Sequence, residues 1–273
     1  MRVGLVQLTS TADRARNLEA AEKGIVAAAR DGARLIVLPE MFNVLGDADA
    51  LRAGAEPLDG PSLTWASEQA RQRGVWLVAG SILERLDGET RLFNTCRVFD
   101  PKGQPRATYR KIHLFDCDVP GARFHESDTV KPGREIVAFE ADGVKMGLSI
   151  CFDLRFPELF RSLAVEGARV IALPSAFTER TGRDHWETLV RARAIENQVF
   201  VLAANQVGAS TPSLRWFGRS AIVDPWGVIL AQAPDREGPI VADLDFAEQD
   251  RIRALLPTLP NRRPDVYRET IRS

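Results

Sequence analysis

Two twelve-residue segments that lie 135 positions apart constrain the fold of this 273-residue chain more than any other feature. Residues 31–42 (DGARLIVLPEMF) and 166–177 (EGARVIALPSAF) are identical at seven positions. Each has the pattern of a buried β-strand that ends at a proline, and each follows a stretch of helical period. Two such halves predict two sheets packed face to face with helices outside, although chance similarity between two buried strands is an alternative.

The rest of the chain shows the same alternation of apolar runs and helical segments, which predicts an α/β fold. Residues 111–133 lack a sustained period, and irregular segments of that length inside a compact domain are often functional. We expect one domain over residues 1–273, with an irregular tail from about 257. The predicted strands are 3–8, 33–38, 75–80, 91–100, 104–109, 136–140, 144–150, 170–173, 199–204, 218–223, 228–233 and 240–244, and the predicted helices are 18–30, 61–73, 157–166, 185–198 and 247–256.

Charge and cysteine usage exclude several classes of protein. Lysine plus arginine (36) and aspartate plus glutamate (37) nearly cancel, which argues against a nucleic-acid binder. A strand pattern follows Met1 directly, so we expect no secretion signal, and no apolar stretch approaches the roughly 18 residues that a membrane span needs. Cys96, Cys117 and Cys151 are widely spaced, which argues against a disulfide framework and a zinc site. The sequence therefore predicts a cytoplasmic protein with free thiols that acts on a small molecule.

Cys151 is the strongest candidate for a reactive group. It ends an apolar run in the segment MGLSICFDLRFPEL (146–159), where polar and helix-starting residues follow. A thiol at the end of a strand beside a helix start is accessible, and the backbone N–H groups there suit a developing anion. The pattern predicts a nucleophile, and a small packing cysteine is the alternative.

A nucleophilic thiol needs a base, because most of it is protonated at neutral pH. Glu40 follows the apolar strand 33–38 and is the favoured base, although a glutamate in a surface turn would leave the same pattern. His113 and His125 lie in the irregular segment and stay possible bases, whereas His185 suits a capping or packing role in a helix. Lys111 places a positive charge just after a strand, where a solvated lysine is the alternative.

Three segments together resemble the nitrilase superfamily of carbon-nitrogen hydrolases. LPEMF (38–42), YRKIHLF (109–115) and SICFDLRFPE (149–158) are similar to its Glu, Lys and Cys blocks, and the resemblance extends over nearly the whole chain to residues 262–267. The sequence after the cysteine looks like the Nit branch, which comprises ω-amidases and deaminated glutathione amidases. True nitrilases typically carry Cys-Trp-Glu there, so the resemblance argues against a nitrile substrate.

The resemblance implies a four-layer α-β-β-α sandwich, a homodimer or higher homo-oligomer, and neither a metal nor an organic cofactor. It also implies that Cys151 attacks an amide carbonyl while Glu40 accepts the thiol proton and later protonates ammonia. Lys111 and the backbone N–H of Phe152 would stabilise the oxyanion, and water would hydrolyse the thioester. Glu126 matches a second glutamate that orders the lysine and positions substrate or water, with a solvated loop acid as the alternative.

Four residues are predicted to contact the substrate. Arg155 lies close to Cys151 in sequence and suits a substrate carboxylate, or else belongs to a local ion-pair network with Asp153 and Glu158. Two of the other three candidates are the matching ends of the repeated segments, and the third follows one of them in sequence; packing in the core is the alternative. They are Phe42, Phe177 and Thr178.

These inferences predict an ω-amidase or deaminated glutathione amidase-like hydrolase that releases ammonia from the primary amide of a small carboxylated metabolite. An N-carbamoyl amidohydrolase would use the same cysteine, glutamate and lysine, so it stays an alternative, as does an aliphatic nitrilase. A catalytically silent binding protein is disfavoured, because all four implied catalytic positions are filled.

Overall fold

The computed structural model describes residues 1–119 and 122–267. Local sequence signals set several boundaries: the side chain of Asp13 caps the first helix by accepting from the N–H of Arg16, and the third helix begins at Pro61 and ends at a left-handed Gly74. Up to residue 110 the elements are β1 Arg2–Gln7, α1 Arg14–Arg30, β2 Leu35–Val37, α2 Ala48–Gly54, α3 Pro61–Arg73, β3 Trp76–Val78, β4 Ile82–Glu84, β5 Phe93–Phe99 and β6 Pro105–Arg110.

The later part of the chain contains two short 3₁₀ helices that matter for the site, Glu126–Asp128 and Cys151–Arg155. The strands there are β7 Asp116–Val119, β8 Ala122–His125, β9 Ala138–Ala141, β10 Val144–Leu148, β11 Val170–Ser175, β12 Phe200–Asn205, β13 Val207–Thr211, β14 Leu214–Phe217, β15 Ala221–Val223, β16 Ile229–Gln232 and β17 Gly238–Asp243. The helices are α4 Pro157–Val165, α5 Glu179–Asn197, α6 Phe246–Leu255 and α7 Pro264–Tyr267.

Two mixed sheets form the centre of the fold. Over the described residues, the first sheet has the order β17-β1-β2-β3-β5-β4, with β6 paired to β5, and the second has the order β16-β15-β12-β11-β10-β9. The strands of the repeated segments, β2 and β11, each lie in the middle of three parallel strands. The repeat therefore reflects two halves with the same parallel centre.

The strands of the first sheet show why two layers of core form. Side chains alternate along a strand, so Val3 and Leu5 of β1 face the second sheet while Val6 faces the helices. Helices α1 and α3 cover the outer face of the first sheet, and α4 and α5 cover that of the second. Each fully buried leucine or valine stabilises the fold by about 1.5–3 kcal/mol. The predicted α-β-β-α sandwich is confirmed.

Some boundaries differ from the expectations. Helix α5 begins at Glu179 rather than at residue 185, and α2, β4, β7, β8, β13 and β14 were not predicted. The tail that was predicted to be irregular from about residue 257 contains the short helix α7, which begins at Pro264, because proline suits the first position of a helix. Among residues 1–119 and 122–267, no helix has both the length and the apolar character needed to cross a membrane.

Candidate active site

Glu40 lies just after β2, buried against the carboxyl end of the second sheet. Its Oε2 accepts a 2.8 Å hydrogen bond from the backbone N–H of Ala176, directly after β11. Its Oε1 accepts from Nδ2 of Asn94 (2.8 Å) and from Nζ of Lys111 (3.0 Å). The turn behind it requires glycine at Gly80, where a Cβ would lie 2.0 Å from the carbonyl oxygen of Pro39. The carboxylate is therefore held in one orientation by three donors.

Lys111 continues β6 and is 2% exposed. Its Nζ donates to Glu40 and, over 2.9 Å, to Oε2 of Glu126. Burial alone would lower the pKa of Lys111, but the carboxylates of Glu126 and Glu40 raise that pKa well above its usual value. The ammonium group consequently stays charged at neutral pH.

Glu126 begins the first 3₁₀ helix. This helix lies within residues 111–133, the segment that was predicted from the sequence to be functional. Besides Lys111, its carboxylate accepts from the backbone N–H of Phe115 (2.7 Å) and from Nδ2 of Asn94 (3.1 Å). Asn94, on β5, therefore bridges Glu126 and Glu40. Glu40, Glu126 and Lys111 therefore form one cluster in which two carboxyl groups share a single ammonium group.

Cys151 follows β10 and opens the second 3₁₀ helix with a φ of +44°, in the left-handed region that side chains rarely adopt. The thiol lines one cavity together with Glu40 and Lys111. Burial raises the pKa of the Cys151 thiol well above its usual value, Glu40 raises it further, and Lys111 opposes both. The resting thiol is therefore protonated, so its proton must move when the sulfur attacks.

The carboxylate of Asp153 stabilises this turn through hydrogen bonds. Its Oδ2 accepts from the backbone N–H of Ile150 (2.8 Å) and from the hydroxyl of Tyr109 (2.6 Å). Its Oδ1 lies 2.7 Å from Nδ1 of His113, whose ring stacks on that of Phe156. His125 lies 3.5 Å from Asp118 and lines the same cavity as Cys151, and His185 lies 3.4 Å from Arg155.

Two cavities meet at Cys151. The first, which we call the large chamber, has a volume of about 390 Å³ and is lined by Glu40, Lys111 and Glu126 together with many apolar side chains. The second, which we call the small cavity, has a volume of about 20 Å³. Besides Cys151, it is lined by Phe115, Phe152, Arg155, Ala176, Phe177, Thr178 and Thr181.

Three of the four predicted substrate residues line the small cavity, and one lies elsewhere. Arg155 is half-buried, with its guanidinium 5.2 Å from the ring centre of Phe177. Among the described residues it forms an ion pair with neither Asp153 nor Glu158, so the alternative network is not present. Phe42 is fully buried, stacks on Trp65 and lines neither cavity.

The sequence profile described as carbon-nitrogen hydrolase matches residues 2–254. The chain belongs to the carbon-nitrogen hydrolase family. The resemblance seen in the Glu, Lys and Cys blocks is thereby confirmed.

This hydrolase is similar to a named omega-amidase and to a solved member of the nitrilase superfamily. It is 40% identical to omega-amidase NIT2 of Danio rerio, over 97% of this chain and 96% of that protein. Among solved structures, Nit3 of Saccharomyces cerevisiae, a member of branch 10 of the nitrilase superfamily, is 34% identical with a TM-score of 0.86, and 94% of each chain is covered.

A third relative links the family chemistry to cysteine. The amidase of Nesterenkonia sp. AN1 is 25% identical with a TM-score of 0.81, over 98% of this chain and 99% of that one. A mutant of it was solved with the result of Michael addition of acrylamide at the active-site cysteine. With the family membership, these relatives identify the hydrolase as a cysteine-dependent amidase.

Several residues near the cluster escaped the sequence reasoning. Asn94 lies inside the predicted strand 91–100, and no local pattern separates it from an ordinary strand residue. Thr181 lines the small cavity, and its Oγ1 lies 2.7 Å from Oγ1 of Thr178. The spacing of three residues could have indicated Thr181, because side chains three apart share a face in the first turn of a helix.

Proposed function

We propose that this amidase hydrolyses the primary amide of a small carboxylated metabolite through a Cys151 thioester, in the manner of an ω-amidase or a deaminated glutathione amidase. One observation carries the proposal: Cys151 lines one cavity together with a buried carboxylate, Glu40, that is itself paired over 3.0 Å with a buried ammonium group, Lys111. A thiol, an acceptor for its proton and a fixed positive charge are the parts that acyl transfer to sulfur needs.

In the first half-reaction, Sγ of Cys151 attacks the amide carbon while Glu40 accepts the thiol proton. The oxyanion forms between Nζ of Lys111 and the N–H of Phe152, which lies in the first turn of the 3₁₀ helix and has no acceptor within that helix. Both donors are positioned before the reaction begins. In other hydrolases that react by acyl transfer, removal of one such donor lowers kcat by a factor of about 10²–10³.

Collapse of the tetrahedral intermediate breaks the carbon–nitrogen bond. Glu40 returns the proton to the nitrogen, so ammonia leaves and a thioester of Cys151 remains. Glu40 then accepts a proton from a water molecule, which attacks the thioester, and the acid departs as the thiol is restored. Glu126 holds Lys111 in place through both steps and lines the cavity at Cys151 from which the water attacks.

Arg155 is proposed to bind the substrate carboxylate. Burial lowers the pKa of Arg155, yet a guanidinium stays charged in proteins, so its half-buried charge is best satisfied by an anionic ligand. Thr178 supplies a hydroxyl in the same cavity, and Phe177 forms an apolar wall. Phe42 supports the site only from the core.

An ammonia-release screen of the purified chain beside the Cys151→Ala variant tests the proposal. The substrates are α-ketoglutaramate, aliphatic amides, nitriles and N-carbamoyl amino acids, and deaminated glutathione is assayed beside them for release of cysteinylglycine, because its scissile amide is secondary. We expect ammonia from carboxylated amides and none from Cys151→Ala. Release of carbon dioxide with ammonia would identify an N-carbamoyl hydrolase, and turnover of nitriles alone would contradict the amidase assignment.

We propose that residues 1–273 form one domain and that the protein acts in the cytoplasm. We also propose that it forms a homodimer. An apolar surface supports the dimer: Ile195, Trp226 and Val228 are 46%, 53% and 50% exposed, and a Cβ at Gly227 would lie 2.6 Å from Ile195, so the turn packs directly on α5. Exposed apolar patches of this kind mark association surfaces. Light scattering should report a dimer for the native chain and monomer for Trp226→Glu.

A further inference from the structure

Asn94 is fully buried on β5, between the two acids of the active site. Strands hold it on both sides: it pairs with Leu83 of β4, and its carbonyl oxygen accepts a 2.9 Å hydrogen bond from the backbone N–H of Lys111. It lines neither the large chamber nor the small cavity, so its side chain does not touch a bound substrate. Any effect of Asn94 on the reaction must therefore pass through the groups that it contacts.

The side-chain amide of Asn94 donates both of its N–H bonds to carboxylates. Nδ2 donates to Oε1 of Glu40 over 2.8 Å and to Oε1 of Glu126 over 3.1 Å. One backbone N–H group also donates to each acid. Two of the three N–H bonds of the Lys111 ammonium group point to the same acids, and within the described part of the chain the third has no acceptor. The ammonium group therefore keeps one N–H bond for the oxyanion.

Electrostatics fixes the orientation of the Asn94 amide. If the side chain were turned over, Oδ1 would face two carboxylate oxygens, and the like partial charges would repel each other. In the observed orientation Oδ1 is buried and accepts no hydrogen bond from the described residues. An unsatisfied buried acceptor destabilises a fold, so packing alone does not explain an asparagine at this position. Such exceptions to the usual rules are expected at functional sites, where another gain offsets them.

We propose that Asn94 is a positioning residue for the amidase reaction: it stabilises the ionised carboxylates of Glu40 and Glu126 and keeps one N–H bond of Lys111 free for the oxyanion. The inference rests on the proposed function, because it uses Glu40 as the base and Lys111 as the oxyanion donor. Hydrogen bonds to a carboxylate favour its charged form, whereas a second carboxylate nearby favours the neutral form. Without Asn94, the two acids would depend on one ammonium group and would take up a proton more readily.

The same hydrogen bonds identify the oxygen of Glu40 that accepts the thiol proton. Oε1 already accepts from Asn94 and Lys111, whereas Oε2 accepts only from a backbone N–H and keeps a free lone pair. As Sγ of Cys151 bonds to the amide carbon, its proton passes to Oε2, and the electron pair of the carbonyl bond moves to the oxygen beside Lys111. Collapse returns that electron pair, breaks the carbon–nitrogen bond and transfers the proton from Oε2 to the leaving nitrogen.

The pH profile of kcat/KM for glutaramic acid tests this role. Asn94→Leu keeps the branched shape of the side chain but has no N–H donor. Its acidic limb should move to higher pH by about one to two units, the size expected for a lost hydrogen bond to a charged group. On the plateau, kcat should fall by about tenfold while KM changes by less than about twofold, because Asn94 lines neither cavity. Asn94→Asp has the size of the native residue, places a third acid in the cluster and should move the limb further in the same direction.

The other charged and titratable groups that face Glu40 and Glu126 stay the same in both variants. They are Lys111 at the end of β6, Cys151 in the second 3₁₀ helix and, around the rest of the large chamber, Asp47, Arg52, His125 and Asp128. A shift of the acidic limb therefore reports the exchanged side chain.

Asn17→Leu is the matched control. Asn17 is buried, lies outside both cavities, and its Nδ2 also donates two hydrogen bonds, to the carbonyl oxygens of Thr11 and Asn43. Its loss should lower the free energy of unfolding but leave the acidic limb in place, since neither acceptor is charged. Alkylation of Cys151 by iodoacetamide, located by peptide mapping, follows the same limb without turnover, which covers a variant that hydrolyses too slowly to measure.

An acidic limb at the same pH in the native chain and in both Asn94 variants would overturn the inference. A limb that shifts equally in Asn17→Leu would also overturn it, because the shift would then follow lost stability, and so would failure of both Asn94 variants to fold. If the native chain hydrolyses none of the amides in the ammonia screen, the proposed function is contradicted instead. The alkylation profile then still decides whether Asn94 keeps the acids ionised.

Discussion

The hydroxyl of Tyr109 donates a 2.6 Å hydrogen bond to the buried carboxylate of Asp153. Tyr109 lies on β6, two residues before Lys111, and Asp153 lies two residues after Cys151. The contact therefore joins the strand that carries the ammonium group to the turn that carries the thiol. We expect it to fix the distance between the two groups.

Tyr109→Phe should lower kcat by about tenfold with a smaller change in KM, because the variant misplaces the oxyanion donor rather than the binding groups. It should also lower the free energy of unfolding by about 1–3 kcal/mol, since Asp153 loses a buried donor. Steady-state kinetics and urea denaturation measure both effects. Tyr267→Phe, at an exposed position, is the control. Equal kcat in the two variants would show that the contact has no positioning role.

Lys111→Met should abolish activity and destabilise the fold. Without the ammonium group, Glu40 and Glu126 face each other as like charges in a buried site, so one of them takes up a proton. Breaking a buried ion pair in this way costs about 3–5 kcal/mol of unfolding free energy. The additional variant Glu126→Gln in the Lys111→Met background should recover part of that stability without recovering activity. If the additional variant recovered no stability, the repulsion between Glu40 and Glu126 would be contradicted.

Stability should decline at alkaline pH. Burial raises the pKa of the thiols of Cys96 and Cys151, so the folded chain retains protons that the unfolded chain releases above about pH 9. This contribution is fully present below the unfolded pKa and is lost as pH rises toward the folded pKa, by about 1.4 kcal/mol per pH unit for each group. Urea denaturation of Cys151→Ala between pH 8 and about pH 10.5 should give a shallower decline than the native chain. Parallel curves would contradict the raised pKa of this thiol.

Arg155→Met tests recognition of the carboxylate. Loss of the charged partner should lower kcat/KM for glutaramic acid by about 10²-fold, on the scale of a hydrogen bond to a charged group, and mostly through KM. The neutral amide butyramide provides the comparison. The measurement is the ratio of kcat/KM for glutaramic acid to kcat/KM for butyramide, in the native chain and in the variant. Equal losses on both amides would place Arg155 in the support of the turn rather than in contact with substrate.

Gly133→Ala should impair the enzyme although the residue lies outside both cavities. Its N–H donates to the carbonyl of Lys111, and a Cβ there would lie 2.1 Å from the carbonyl oxygen of Arg110, so the backbone that carries Lys111 must shift. A 1 Å displacement can cost about 10²-fold in rate. Gly143→Ala is the comparison, because its positive φ makes it strained while no atom lies within 4 Å of the new Cβ. We expect reduced stability in both variants and reduced kcat only in Gly133→Ala.

The sequence predicts the framework of the fold well, because β2 and β11 are apolar runs whose burial leaves little choice of structure. It misses β13 and β14, which are short and partly polar, so that their strands are defined only by pairing with each other and by contact with α5. Among the candidate site residues, Cys151 and Glu40 can be found from their positions after strands, whereas the assignment of Glu126 needs the family resemblance.

Phe42 and Phe177 show that similar local sequences do not always predict similar positions in the structure. They occupy equivalent positions in the repeat, yet Met41 adopts a left-handed conformation with a φ of +54° before Phe42, and no such residue precedes Phe177. The chain therefore turns differently after the two strands, and only the Phe177 ring reaches a cavity. Asn94 likewise gains its role only when β5 brings it between Glu40 and Glu126, which no local pattern encodes.

The thioester on Cys151 is the central claim, and rapid acid quenching followed by mass spectrometry of the intact chain tests it most directly. During turnover of glutaramic acid, the native chain should carry the mass of one glutaryl group, located by peptide mapping at Cys151, while Cys151→Ala carries none and releases no ammonia. Ammonia release by Cys151→Ala at the native rate, or an acyl group on another side chain, would contradict the account.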